Sequence, residues 1–218
     1  MGRLKFLFDK EKDAWNIWSK VNNKFRRFGK VNISQSIINA SKDKTLEDAE
    51  IALRNLNKKL YDSGLIDNFN NALGKSWKKV EKDFFIRLKK LTGKELRGNF
   101  KAYTTSIGIC PYNYKERWFM VSVFYSLPKA MSSLGHELLH IHFHDYYFAD
   151  IEKKIGTEKT HDLREALTVL LNLEFKDLLF GFDDGYEVHK ELREFISFEW
   201  SKNKDFDMLL EKCVARMK

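Results

Sequence analysis

The stretch that most constrains this chain is His136-Glu137-Leu138-Leu139-His140, an HExxH pattern. Histidines four residues apart stand one turn apart on the same helix face, so both imidazoles can close on one ion. Such a pair suits Zn²⁺, which binds imidazole nitrogen at about 2.0–2.1 Å. Glu137 is displaced around the helix from that face. It is placed to take a proton from an attacking water rather than to ligate, the ion having lowered that water's pKa to about 7. The flanks suit a buried helix: Leu134, Leu138, Leu139, Ile141 and Phe143 are apolar, and Met131–His144 contains neither Lys nor Pro. The competing reading is an amphipathic core helix whose histidines only satisfy hydrogen bonds.

A catalytic zinc takes three protein ligands and keeps a fourth position open. His144 continues the spacing, but it stands about 12 Å from His136 along a straight helix. Nitrogens sharing one ion lie only about 3–3.5 Å apart. His142 points to roughly the opposite face. Both read as flanking residues. Downstream, Asp162–Leu173 is a strongly helical, apolar segment that carries Glu165 in its early part. Glu165 follows His140 by 25 residues, which leaves room for one helix to end, a turn near Gly156 and a second helix to pack back. Glu165 is therefore the candidate third ligand. His161, a natural zinc donor, is the alternative. Glu165 equally suits the third position of a capping box begun by Asp162.

HELLH followed by a helix-borne glutamate resembles the gluzincin group of zincin metallopeptidases, over Ser132 to Phe175. The resemblance implies that His136, His140 and Glu165 hold zinc and that Glu137 is the general base. It implies a zinc metallopeptidase acting on a peptide or an unfolded protein segment. Gluzincins often carry a small or acidic residue, frequently Asp, shortly after the ligand glutamate to orient a histidine. Thr168 and Val169 occupy those places here.

The segment before the motif is β-forming. Phe100–Cys110 is rich in Tyr, Thr and Ile, Trp118–Tyr125 is a dense run of strand formers, and Pro111–Arg117 between them reads as a turn. The expectation is a β-hairpin leading into the HExxH helix. In zincins a strand borders the cleft above the active-site helix, and an extended substrate can add to its free edge. The aromatic cluster Phe143, Tyr146, Tyr147 and Phe148 and the edge from Trp118 to Tyr125 are the candidate substrate rim, with an apolar preference. Gly181–His189 reads as a turn. Tyr186 and His189 within it are candidate catalytic groups, since a Tyr hydroxyl or an imidazolium near the ion stabilises a developing oxyanion. Each has a structural role as its alternative.

Composition sets the frame. A chain of 218 residues, 43% hydrophobic and 14% aromatic, can bury a full core. The predicted class is α+β, predominantly helical: a zincin-like core with a small sheet, and an N-terminal helical region. Trp77, Val80, Phe84, Leu88 and Leu91 repeat at helical spacing, as do Leu46, Ala49, Leu53, Leu56 and Leu60. An earlier helix is expected from near Asp9 to Phe25–Gly29. Residues 1–99 hold 23 Lys and Arg against 12 Asp and Glu, a net of +11; residues 100–218 hold 16 against 19, a net of −3. The pattern changes from helical to strand-like between Thr92 and Asn99. Residues 1–95 are expected as a basic helical region packed on a metallohydrolase core of residues 96–218, within one continuous domain. A basic face can contact nucleic acid, or it is simply solvated. The corresponding alternative function is a non-catalytic, nucleic-acid-associated interaction protein, or a zincin acting on nucleic-acid-bound proteins. No apolar run reaches the ~20 residues of a membrane span. The charged N-terminus lacks the apolar stretch of a signal peptide. Two cysteines make no disulfide framework, so the expected location is cytoplasmic.

Overall fold

The computed structural model describes residues 2–22 and 33–218. The chain runs β1 (Arg3–Phe8), α1 (Lys10–Asn22), α2 (Gln35–Ser41), α3 (Leu46–Leu56), α4 (Lys58–Asp62), α5 (Leu65–Thr92), β2 (Asn99–Thr105), β3 (Tyr112–Asn113), β4 (Trp118–Ser122) and α6 (Leu127–Tyr146). It continues with α7 (Phe148–Ile155), α8 (Thr157–Ala166), α9 (Val169–Glu174), α10 (Lys176–Leu179), a 3-10 turn at Glu187–His189, α11 (Lys190–Lys202) and α12 (Phe206–Met217). The class is α+β, mostly helical with one small mixed sheet. The expected helix end at Phe25–Gly29 lies outside the described residues; Asp9 Oδ1 does accept from Lys12 N at the start of α1.

The sheet order is β1-β2-β4-β3. Its pairing corrects the expected hairpin. β2 and β4 run parallel, Lys101 opposite Trp118 through Thr105 opposite Ser122. Only the short β3 pairs antiparallel with β4, Tyr112 opposite Phe119 and Asn113 opposite Trp118. The reason lies at the end of β2. Buried Asp13 of α1 accepts from Thr105 Oγ1, Ser106 N and Ser106 Oγ at 2.6, 2.8 and 2.6 Å, so the chain is drawn out of the sheet there instead of turning back. The tight turn comes later, where Asn113 Oδ1 accepts from Glu116 N and Arg117 adopts positive φ. β4 is therefore an inner strand with all five residues buried, not a free edge.

The N-terminal residues are a second correction. Arg3–Phe8 is a strand, parallel to β2, so residues 1–95 are not purely helical and the sheet draws on both halves of the chain. Strand alternation sorts side chains to two faces. Phe100, Ala102, Phe119 and Val121 join the main core with Trp77, Phe84 and Leu88 of α5 and Leu134, Leu138 and Ile141 of α6. On the other side Trp118 meets Trp15 of α1 edge-on at 5.9 Å. A separate cluster, including Phe143, Leu163, Ile196, Trp200 and Leu209, joins α7, α8, α11 and α12 to the far end of α6. Burying each large core side chain contributes roughly 1.5–3 kcal/mol. No helix among the described residues is long and apolar enough to cross a membrane.

Candidate metal centre

The HExxH helix is α6. Ser126 caps its start by accepting from Lys129 N, and Pro128 sits in its first turn, where no N–H partner is needed. Gly135 lets the helix approach α10 and α5: an added Cβ would lie 2.8 Å from Leu179 Cδ1 and 3.3 Å from Phe84 Cε2. Leu134, Leu138 and Ile141 turn into the core, His136 and His140 stand on another face, and Glu137 lies around the helix between the two. The two imidazoles lie 4.2 Å apart between ring centres.

The third member comes from the end of α8. Glu165 Oε2 is 3.5 Å from His136 Nε2 and 3.2 Å from His140 Nε2. Donors bound at about 2.0–2.1 Å to one tetrahedral ion stand about 3.3 Å apart, so these separations fit a shared zinc. The three groups are the one cluster of metal-binding type among the described residues. Because α8 begins at Thr157, Glu165 lies in its last turn and is not a capping residue. His161 lies elsewhere: its Nδ1 is 3.0 Å from Arg164 Nη1 and its ring packs on Phe148.

Hydrogen bonds from the surroundings orient His136 and Glu165. Asp183 Oδ2 is 2.6 Å from His136 Nδ1, which leaves Nε2 for an ion. Asp183, from the segment after α10, thus supplies the acidic partner that Thr168 and Val169 do not. Thr168 instead donates from Oγ1 toward Glu165 O (2.7 Å) and Asp183 Oδ1 (2.9 Å). Arg164 binds the other oxygen of Glu165 through Nη2, so Oε2 alone faces the histidines. Its Nη1 reaches the Tyr112 hydroxyl on β3, which also lies 2.8 Å from His144 Nε2. Sequence reasoning missed Asp183, Arg164 and Tyr112. Their signal was weak: an Asp pair between glycines reads as a turn, and the Tyr residues after Pro111 read as part of a loop.

Burial and charge set the protonation. Burial pushes Glu137 up to about 8, with Glu165 and Asp183 adding to the effect against His136. Burial lowers His140 to about 3. Burial also disfavours the charged form of His136, but the Asp183 carboxylate outweighs it and holds His136 protonated well above the usual histidine range. Burial opposes ionisation of Glu165, yet the two histidines hold its carboxyl well below the usual range. Glu137 Oε2 and His140 Nδ1 are buried without a hydrogen-bond partner among the described residues. Two imidazoles and one carboxylate oxygen form a donor set of the kind zinc takes, and the Glu137 carboxylate is not part of it. The chain matches no family model, no curated protein and no solved structure.

The remaining candidates divide. Tyr186 lies close enough to Glu165, Glu137 and Asp183 for their charges to raise its hydroxyl further after burial has done so. His189 is 3% exposed, 3.1 Å from Asp162 Oδ1, with its ring edge-on to Tyr186 at 5.9 Å. It backs Tyr186 and is not among the convergent donors. The expected aromatic rim is also displaced: Phe143 is core and Tyr147 donates to Thr92 O, while Phe148 stacks on His144. Exposed apolar side chains stand instead at Phe124, next to Tyr125, and at Phe180, Phe182 and Val188 around the Asp183 segment.

Proposed function

We propose that this chain is a zinc-dependent metallopeptidase of gluzincin type, with α6, α8 and the β3–β4 pair as its zincin-like core. The observation that carries the reading is the meeting of His136 Nε2, His140 Nε2 and Glu165 Oε2 beside the buried, unpartnered Glu137 carboxylate. A zinc ion held there would supply Lewis acidity to a water and to the scissile carbonyl. Glu137 accepts the proton of the attacking water and returns it to the leaving amine. Asp183 and Arg164 keep His136 and Glu165 aimed at one point. Tyr186 donates to the developing oxyanion, with His189 fixing its ring.

The substrate class follows from what surrounds the centre. β3 is the outer strand of the sheet on this side and carries Tyr112 toward His140, with ring centres 5.5 Å apart. An extended polypeptide can add its main chain along that edge. The segment Phe180–Val188 is tied to the start of α6, just after Phe124, where Gly181 packs on Pro128 O and Lys129 pairs with Asp184 at 2.8 Å. The exposed aromatic and aliphatic side chains there favour apolar residues near the scissile bond. The decisive experiment pairs metal analysis with cleavage-site mapping. Purified protein should hold about one zinc per chain, and Glu137→Gln should keep that metal while losing hydrolysis about 10²–10⁴-fold. Metal content that is unchanged in His136→Ala/His140→Ala protein would sink the reading.

A further inference from the structure

Asp183 is the buried residue of an otherwise exposed segment. Phe182 is 65% and Val188 74% exposed, whereas the Asp183 side chain is 8% exposed. A guanidinium fork is central to what holds it inward. Arg193 of α11 donates from Nη1 to Asp183 Oδ1 at 3.0 Å and from Nη2 to Asp183 O at 2.6 Å. The same Nη1 reaches Thr168 Oγ1 at 2.7 Å, three residues beyond Glu165. Asn172 completes the clamp, accepting from Asp183 N at 2.8 Å and donating to Asp183 O at 2.9 Å. Gly185 leaves room for it: with φ of +67°, an added Cβ there would lie 2.7 Å from Arg193 Cζ.

We infer that Arg193 is a positioning residue for the metal centre, acting through Asp183 on His136 and coupling ion affinity to docking of residues 181–188. The inference rests on the reading that His136, His140 and Glu165 bind zinc. A histidine ligand presents its Nε2 lone pair steadily only if an acceptor fixes Nδ1–H, and losing that acceptor typically weakens a metal site about 10–100-fold. Asp183 can fix His136 only while something fixes Asp183. Its exposed neighbours bury too little to do so. The guanidinium fork supplies two directed bonds to the same residue, one to the carboxylate and one to the main chain, and a lysine ammonium cannot reproduce both. Because Arg193 also binds Thr168, it ties the Asp183 segment to the turn that follows Glu165. Two of the three donors thus share one outer anchor.

The test uses the full chain, stripped of metal by chelator, with zinc affinity measured by competition against a chromophoric chelator. Arg193→Met and Asp183→Asn should each weaken zinc binding about 10–100-fold, and Arg193→Lys less. The double variant should bind within about twofold of the weaker single variant, because both changes remove the same coupling. Zinc should slow amide exchange over 181–188 in the unaltered protein and not in Arg193→Met. A purely structural clamp would move thermal stability without this affinity pattern. Arg193→Met binding zinc as tightly as the unaltered protein, or penalties that multiply in the double variant, would overturn the inference. Should Arg193→Met fail to fold, Arg193→Lys carries the same comparison with Asp183→Asn. Unaltered protein that binds no zinc overturns the metallopeptidase reading and this inference together; intact zinc binding with indifferent variants overturns this inference alone.

Discussion

At the scale of residues, spacing alone placed two of the three convergent groups, His136 and His140, because i and i+4 on a helix is a fixed geometry. Glu165 was reachable only as a candidate, since a capping role and His161 competed for the same reading. Replacing Glu165 with Ala should cost at least about two orders of magnitude in zinc affinity, while His161→Ala should leave it nearly unchanged. Equilibrium competition on both variants checks this, and the reverse ranking would move the ligand to His161. Glu137 must be ionised to act as base, so activity should fall as pH drops through its pKa. Burial places that pKa at about 8 in the metal-free protein, and a bound cation pulls it back toward the ordinary range. The acid limb of kcat/KM should therefore lie between about 4.5 and 8. His142 offers a test away from the centre. It faces Thr92 Oγ1 at 3.1 Å and Lys94 O at 3.2 Å, and burial lowers it to about 4. A folded-state pKa below the unfolded value means the unfolded chain takes the proton first, so this stability is lost as pH falls from 6.5 toward 4. The stability gap between the unaltered protein and His142→Gln should narrow by up to about 3 kcal/mol across that window, read from urea midpoints. A gap that stays constant with pH would contradict the burial argument.

At the scale of elements, periodicity located α3 and the second half of α5, and β2 and β4 fall where the strand-forming runs stand, but their pairing and the short β3 were not legible. Long amphipathic repeats announce themselves over many residues, whereas a two-residue strand such as β3 has no period to read. Parallel pairing of β2 with β4 depends on where the chain leaves the sheet, and that is decided by Asp13, some ninety residues away in sequence. Asp13 also accepts from Tyr61 OH at 2.7 Å, so one buried carboxylate joins α1, α4 and the end of β2. Asp13→Ala should cost about 3–5 kcal/mol by leaving several buried donors without a partner. Chemical denaturation measures the loss, and a change below about 1 kcal/mol would show the donors find other partners. The segment after α10 is held equally tightly at Gly181, where a Cβ would meet Pro128 O at 2.1 Å. Backbone cannot yield as a side-chain tip can, so Gly181→Ala should displace that segment and weaken zinc binding along with stability.

At the scale of the molecule, the charge asymmetry does not divide the fold. β1 of the basic half pairs with β2, and α5 packs under α6, so the basic residues sit on the outside of a shared core. Lys75, Lys78, Lys79, Lys82, Lys89 and Lys90 of α5 are all exposed. If substrate adds along β3 into an apolar rim, cleavage should change less than about threefold between 50 and 200 mM salt. Recruitment through several phosphate contacts would lose about 10³–10⁵ in affinity over that range. A steep salt dependence, removed by reversing the α5 lysines, would favour a nucleic-acid-bound substrate.

The sequence by itself determined the helical pair His136 and His140, the glutamate between them, the helix that carries them and the mostly helical class. Those are properties of neighbours on one element, set by a period of 3.6 residues. The tertiary structure alone decided that Glu165 Oε2 faces both histidines and that Asp183 binds His136 from a turn 47 residues downstream. It also decided that Arg164 and Arg193 hold those two carboxylates, and that Trp118–Ser122 is interior. Each of these depends on which distant segments pack together, and packing is governed by the fit and burial of whole faces rather than by any local pattern.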